Sequence, residues 1–84
     1  MNTTNQVITL KQLRAKLKPL GYTVKTKSFS FGRTGMVHRI SDNQELPSTF
    51  FSQTERQEWL PAIEVTQGIR VVDEDGIEML GSWS

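Results

Sequence analysis

Residues 22–40 read YTVKTKSFSFGRTGMVHRI, and the way this stretch folds decides the rest. β-Formers alternate over 22–31, Gly32-Arg33-Thr34-Gly35 carries turn chemistry, and MVHRI resumes an apolar pattern. The spacing predicts a β-hairpin over about 22–31 and 36–41. Taken as unbroken, strand 22–31 puts Thr23, Lys25, Lys27, Phe29 and Phe31 on one face and Tyr22, Val24, Thr26, Ser28 and Ser30 on the other. The second face would then offer the core only Tyr22 and Val24. That shortage favours a β-bulge near Thr26–Ser28, which turns Phe29 and Phe31 inward and leaves Lys25 and Lys27 outside.

Upstream of the hairpin, Thr9-x-x-Gln12 has capping-box form, and Leu10, Leu13, Leu17 and Leu20 mark one apolar stripe. This predicts an amphipathic helix over about 10–20, ended by Pro19 and Gly21. Val7-Ile8, just before it, suffices only for a very short strand. Downstream, SDNQELPS reads as a polar loop and Ser52-x-x-Glu55 repeats the capping-box form. The helix that follows carries Trp59 and Leu60 and then meets Pro61. Proline inside a helix costs ~3 kcal/mol, so this helix stops near 60 or kinks and continues to Gln67. The kinked form is preferred to a strand at 63–66, because Gln67-Gly68-Ile69 repeats the helix–Gly–strand transition of Leu20-Gly21-Tyr22. IRVV-DEDG-IEML closes as a hairpin around Asp75-Gly76.

The resulting order, (β)α-ββ-α-ββ, implies a single small α+β domain over 1–84, with residues 1–5 disordered. Two helices would pack on an antiparallel sheet of four or five strands. With Val7-Ile8 as a strand the order becomes βαββαβ plus one extra strand, the ferredoxin-like arrangement.

With 84 residues, there is room for one small core and little room for a large active-site cavity. The absence of cysteine excludes a disulfide framework, a thiolate zinc site and a cysteine nucleophile. No apolar run approaches a membrane span, and MNTTNQ lacks the marks of a signal peptide, so a cytoplasmic protein with no membrane partner is expected. The one histidine, His38, shares a strand face with Met36 and Ile40 and reads as a sheet residue. Asp73-Glu74-Asp75-Gly76 lacks the alternating ligands of a calcium loop and reads as a solvated hairpin tip. No catalytic residue, metal site or cofactor is expected, which leaves a non-enzymatic binding module.

The succession of first helix, Gly21, strand and hairpin with His38 resembles the HicA-type RNA-cleaving toxins over roughly residues 10–40. The domain of that family is α-β-β-β-α and carries a catalytic histidine beside a Gly-rich strand start. There the histidine follows a Gly and a Ser; Gly35-Met36-Val37-His38 departs from that pattern, and the activity is not carried over.

The formal net charge of +1 conceals a division. Residues 1–40 hold eight cations and no acid, a charge of +8. Residues 41–84 hold nine acids against Arg56 and Arg70, a charge of −7. Such asymmetry points to a polyanion partner. On the first helix, Lys11, Arg14 and Lys18 fall in one arc beside the leucine stripe. Lys25 and Lys27 with Phe29 and Phe31 have the composition of a single-stranded nucleic-acid platform, where cations track phosphates and rings stack on bases. Arg33 and Arg39 would extend it. Nucleic acid, DNA or RNA, is therefore the first expected partner.

The alternative is a small protein-binding inhibitor or adaptor, similar in its compact, motif-poor look to accessory proteins of phages and mobile elements. It would dock through its bipolar charge on a protein with a complementary surface, with Phe51, Trp59 or Trp83 as anchor. Glu55, Glu58, Asp73, Glu74 and Asp75 would mimic a nucleic-acid backbone. The terminal GIEMLGSWS also offers an edge for a homodimer.

Overall fold

The computed structural model describes residues 6–83; the expectation for residues 1–5 lies outside them. Nine short elements follow in order: β1 (Gln6–Thr9), α1 (Leu10–Leu17) continued by a 3-10 turn (Lys18–Leu20), β2 (Tyr22–Phe29), β3 (Gly32–Arg39), α2 (Gln53–Glu58), α3 (Leu60–Thr66), β4 (Ile69–Val72) and β5 (Glu78–Gly81). The strands form one five-stranded sheet in the order β1-β4-β5-β3-β2.

Local signals operate as the sequence implies. Thr9 Oγ1 accepts the Gln12 amide at 3.1 Å while Gln12 Oε1 accepts the Thr9 amide at 2.9 Å, a complete capping box. Gly21 ends the 3-10 turn in the left-handed region at φ 96°, where a Cβ would be strained. Ser52 caps α2 through the Glu55 amide, but the Glu55 carboxylate takes the Phe51 amide at 3.0 Å instead of closing the box on Ser52. The second helix breaks at Trp59 and resumes as α3 with Pro61 in its first turn, where the missing proline N–H removes no ladder bond. Residues 63–66 are helical, as the kinked reading holds.

Two expectations about the sheet are corrected. The sheet is mixed, not antiparallel: β1 pairs with β4 and β3 with β5 in parallel, while β2–β3 and β4–β5 are antiparallel. Hairpins advertise themselves through their turns and are antiparallel by construction, whereas pairings between strands distant in sequence leave no local mark. With β1 at one edge, the order does not show the ferredoxin-like arrangement. The first hairpin also turns earlier than expected. Phe29 pairs with Gly32 across a two-residue loop, Ser30-Phe31, and Gly32–Gly35 lies inside β3.

The ladder from Tyr22–Arg39 to Phe29–Gly32 runs without interruption. The β-bulge expected near Thr26–Ser28 is absent, and the reason lies in the core. Helices cover one face of the sheet, burying Ile8, Leu13, Leu17, Tyr22, Val24, Val37, Trp59, Ala62, Val71 and Met79. Trp59 is 1% exposed, its ring 5.5 Å from that of Tyr22, whose hydroxyl donates to the Glu58 carbonyl at 2.6 Å. Trp83 folds back over the paired glycines Gly35 and Gly81 and donates from Nε1 to the Met79 carbonyl at 3.1 Å. A Cβ on Gly35 would lie 2.6 Å from Trp83 Cη2. Two indoles thus fill the space that the sequence pattern reserves for Phe29 and Phe31. None of the four phenylalanines belongs to the fully buried core.

Candidate nucleic-acid interface

The consequence is a β-ribbon with an unusual surface. β3 pairs with β5 only at Thr34 and Gly35, so the far end of the hairpin stands beyond the sheet. Every residue from Lys25 to Arg33 is exposed, and none of them is acidic. The unbroken register places Thr23, Lys25, Lys27 and Phe29 on the face of the sheet away from the helices, opposite His38, Met36, Thr34 and Gly32. Phe29 is 46% exposed and Phe31, in the loop, 74%. Their rings stack on each other at 5.1 Å with 8° between planes. Gly32 opposite Phe29 offers no side chain to cover the ring, so Phe31 is its aromatic neighbour. Beside them, Lys25, Lys27, Thr34, Met36, His38 and Glu45 line a hollow of about 490 Å³. The same sheet face carries exposed Val7 and Leu80 farther along.

The cations of the first 40 residues divide by residue type. The five lysines, Lys11, Lys16, Lys18, Lys25 and Lys27, form no ion pair among the described residues. Two of the three arginines do: Arg33 with Glu74 at 3.3 Å, and Arg39 with Asp42 at 2.8 Å and Glu58 at 3.4 Å; in the second half Arg70 pairs with Glu78 at 2.6 Å. Planar guanidinium groups suit such two-point carboxylate pairing better than ammonium groups do. Arg39 also lies over the Trp59 ring, 4.9 Å from its centroid. Its hydrogen bond to Asp42 holds that carboxyl below the usual carboxylate range and raises the guanidinium further. Arg39 is therefore committed to the helix side and does not extend the lysine face. Arg14 donates from Nε and Nη2 to the Val24 carbonyl, at 3.1 and 2.9 Å. It ties α1 to the outer edge of β2 while its charge stays uncompensated. Lys18 is exposed at the opposite end of α1 from Lys11.

The residues expected to meet a protein partner are scattered. Trp59 lies in the core and Trp83 packs on Gly35, so neither projects as an anchor. Phe51 does project, at 96% exposure. Asp73 is buried and accepts the Asp75 and Ile77 amides at 2.9 and 3.0 Å, shaping the turn that Gly76 completes at φ 80°. Glu55, Glu58 and Glu74 are each engaged as described above, and Asp75 is exposed. Glu55 and Glu58 belong to α2, and Asp73, Glu74 and Asp75 to the turn between β4 and β5.

No family model, curated protein or solved structure matches this chain.

His38 makes its contacts within the sheet: Nδ1 lies 3.0 Å from the Met36 carbonyl and Nε2 4.0 Å from Glu45 Oε1. No group of His, Asp and Glu among the described residues is arranged to hold a metal ion. Sequence reasoning did not weigh Thr26, which lines both the lysine-side hollow and a cleft on the helix side of the ribbon. Its place on the edge strand is the only sign of that role, and the edge is set by strand order.

Proposed function

We propose that this protein is a non-enzymatic nucleic-acid-binding module that uses the β2–β3 ribbon to hold a single strand. The observation that carries this reading is the unbroken register, which puts Lys25, Lys27 and Phe29 on one exposed face, with the Phe31 ring stacked beside Phe29 and neither lysine in an ion pair among the described residues. Lysines carrying no carboxylate can release counterions from phosphates, and each phosphate neutralised on a single strand contributes a slope of about −0.7 in log K against log salt. Exposed rings accept any base face, so the mode is tolerant of sequence. Lys25 and Lys27 alone account for a slope of about −1.4.

The test is fluorescence anisotropy of a labelled mixed-sequence single-stranded oligonucleotide, titrated at several salt concentrations. Binding should appear at low salt, with K25Q/K27Q flattening the slope by about 1.4 and weakening affinity at least tenfold. An oligonucleotide left unbound at low salt would sink the proposal. A second reading, a protein partner of complementary charge, is favoured by Phe51 at 96% exposure. It would replace the first if nucleic acid stays unbound while one host protein is recovered stoichiometrically and Phe51→Ala releases it.

A further inference from the structure

The two faces of the ribbon are joined at its outer edge. On the helix side, Lys11, Arg14, Thr26, Arg33, Asp73 and Glu74 line a cleft of about 390 Å³. We infer that this cleft is a second phosphate subsite of the same single-strand site, and that Glu74 is the internal carboxylate a phosphate displaces from Arg33. The inference rests on the nucleic-acid reading and adds the path and the competitor.

Three cations from two elements, Lys11 and Arg14 of α1 and Arg33 of β3, converge there. Lys11 forms no ion pair among the described residues. Arg14 is fixed by a carbonyl and not by a carboxylate, and two bonds to Val24 leave three of its five N–H donors for other acceptors. Charge held rigidly and left uncompensated is what a phosphate subsite requires. Arg33 is the exception, since it faces Glu74 at 3.3 Å. The two side chains are 41% and 78% exposed, so solvent screens the pair and little holds it closed. Asp73, the other acid of the cleft, has Oδ1 committed to two backbone amides of the turn.

Continuity comes from Thr26, which borders both this cleft and the Lys25–Lys27 hollow. β2 is an edge strand. The alternation of an antiparallel ladder that pairs Gly21 with Ile40 leaves the Thr26 and Ser28 amides on the outer side. A strand lying along Lys25 and Lys27 can therefore pass over this edge, meeting backbone donors, and reach Lys11, Arg14 and Arg33. β-Augmentation by a peptide is disfavoured at the same edge, because the Arg14 guanidinium already occupies the Val24 carbonyl that an incoming strand would need.

The experiment compares four proteins with wild type in the same single-stranded titration: K11Q, E74Q, K25Q/K27Q and K16Q. K11Q should weaken binding about fivefold and reduce the salt slope by about 0.7. E74Q should tighten binding about twofold to fivefold by releasing Arg33. K16Q removes the same charge from an exposed position of α1 outside the cleft and should leave affinity within about twofold. If K25Q/K27Q loses binding while K11Q and E74Q match wild type, the ribbon reading stands and the second subsite is overturned. If K16Q weakens binding as much as K11Q, net charge explains the effect and the cleft is again overturned. A wild-type protein that binds no oligonucleotide defeats both. All the substituted side chains are exposed, and unchanged urea midpoints confirm that the variants are folded.

Discussion

Truncating the ribbon phenylalanines should separate binding from stability. In a packed core, Phe→Ala costs about 3–5 kcal/mol. Phe29 keeps about half of its surface exposed and Phe31 about three quarters, and each ring stacks on the other. Scaling by burial gives a loss of about 1.5–2.5 kcal/mol for Phe29→Ala and about 1 kcal/mol for Phe31→Ala, including the ~0.5–1.5 kcal/mol of a ring pair. The binding loss should be larger in proportion. One stacked base is worth ~1–3 kcal/mol, which is about fivefold to 150-fold in affinity. Urea unfolding followed by tryptophan fluorescence reads the first quantity, since Trp59 and Trp83 both report on the helix side. Anisotropy of the labelled single strand reads the second. Phe29→Leu separates ring stacking from apolar contact: it keeps most of the ribbon's hydrophobic surface and should still lose most of the binding. Phe51→Ala, which removes the most exposed phenylalanine from a loop outside the ribbon strands, should leave affinity unchanged. Full affinity in folded Phe29→Ala would refute the stacking argument. A stability loss above about 3 kcal/mol would refute the placement of the ring outside the core.

Two further outcomes test the fold that presents the ribbon. Gly35→Ala places a methyl 2.6 Å from Trp83 Cη2 and 3.1 Å from Val24 Cγ1; it should cost about 1–3 kcal/mol in urea unfolding. The same change made in a Trp83→Ala background should cost under about 1 kcal/mol, and equal costs in both backgrounds would show that the indole does not lie over Gly35. Arg39→Gln should lower Tm at neutral pH. Part of that gap should close in acid: Asp42 has its folded pKa depressed by Arg39, so its contribution is present above the ordinary carboxylate value of about 4 and is lost as pH falls through the folded value. The stacking of Arg39 over Trp59 does not titrate and leaves a residual difference. A Tm gap constant from neutral pH into strong acid would contradict the Asp42 assignment.

The local grammar of the chain was legible. Thr9 and Gln12 close the box their spacing implies, Gly21 and Gly76 adopt left-handed backbone, and the helix breaks beside Pro61. Val7-Ile8 suffices for a strand because β4 supplies the pairing. The two glycines of Gly32-x-x-Gly35 look alike in sequence but serve different ends. Gly32 carries the positive φ at the hairpin loop, and Gly35 provides space beneath Trp83. No bulge forms because the rings that fill the core come from residues 59 and 83, far from the strand in sequence. Of the candidate binding residues, Lys25, Lys27, Phe29 and Phe31 are brought together, Arg39 is drawn to Asp42, Glu58 and Trp59, and Trp59 is buried.

The sequence by itself determined where the helices begin, because caps and periodicity act between residues a few positions apart. It also determined the division of charge at residue 40. Only the tertiary structure decided what that division means, since ion pairing depends on which side chains the strand order makes neighbours. Arg33 and Arg39 met acids of the second half, while Lys25 and Lys27 stayed on a face no acid reaches within ion-pair distance. Whether Phe29 and Phe31 face water was likewise settled by two distant indoles that had already filled the core.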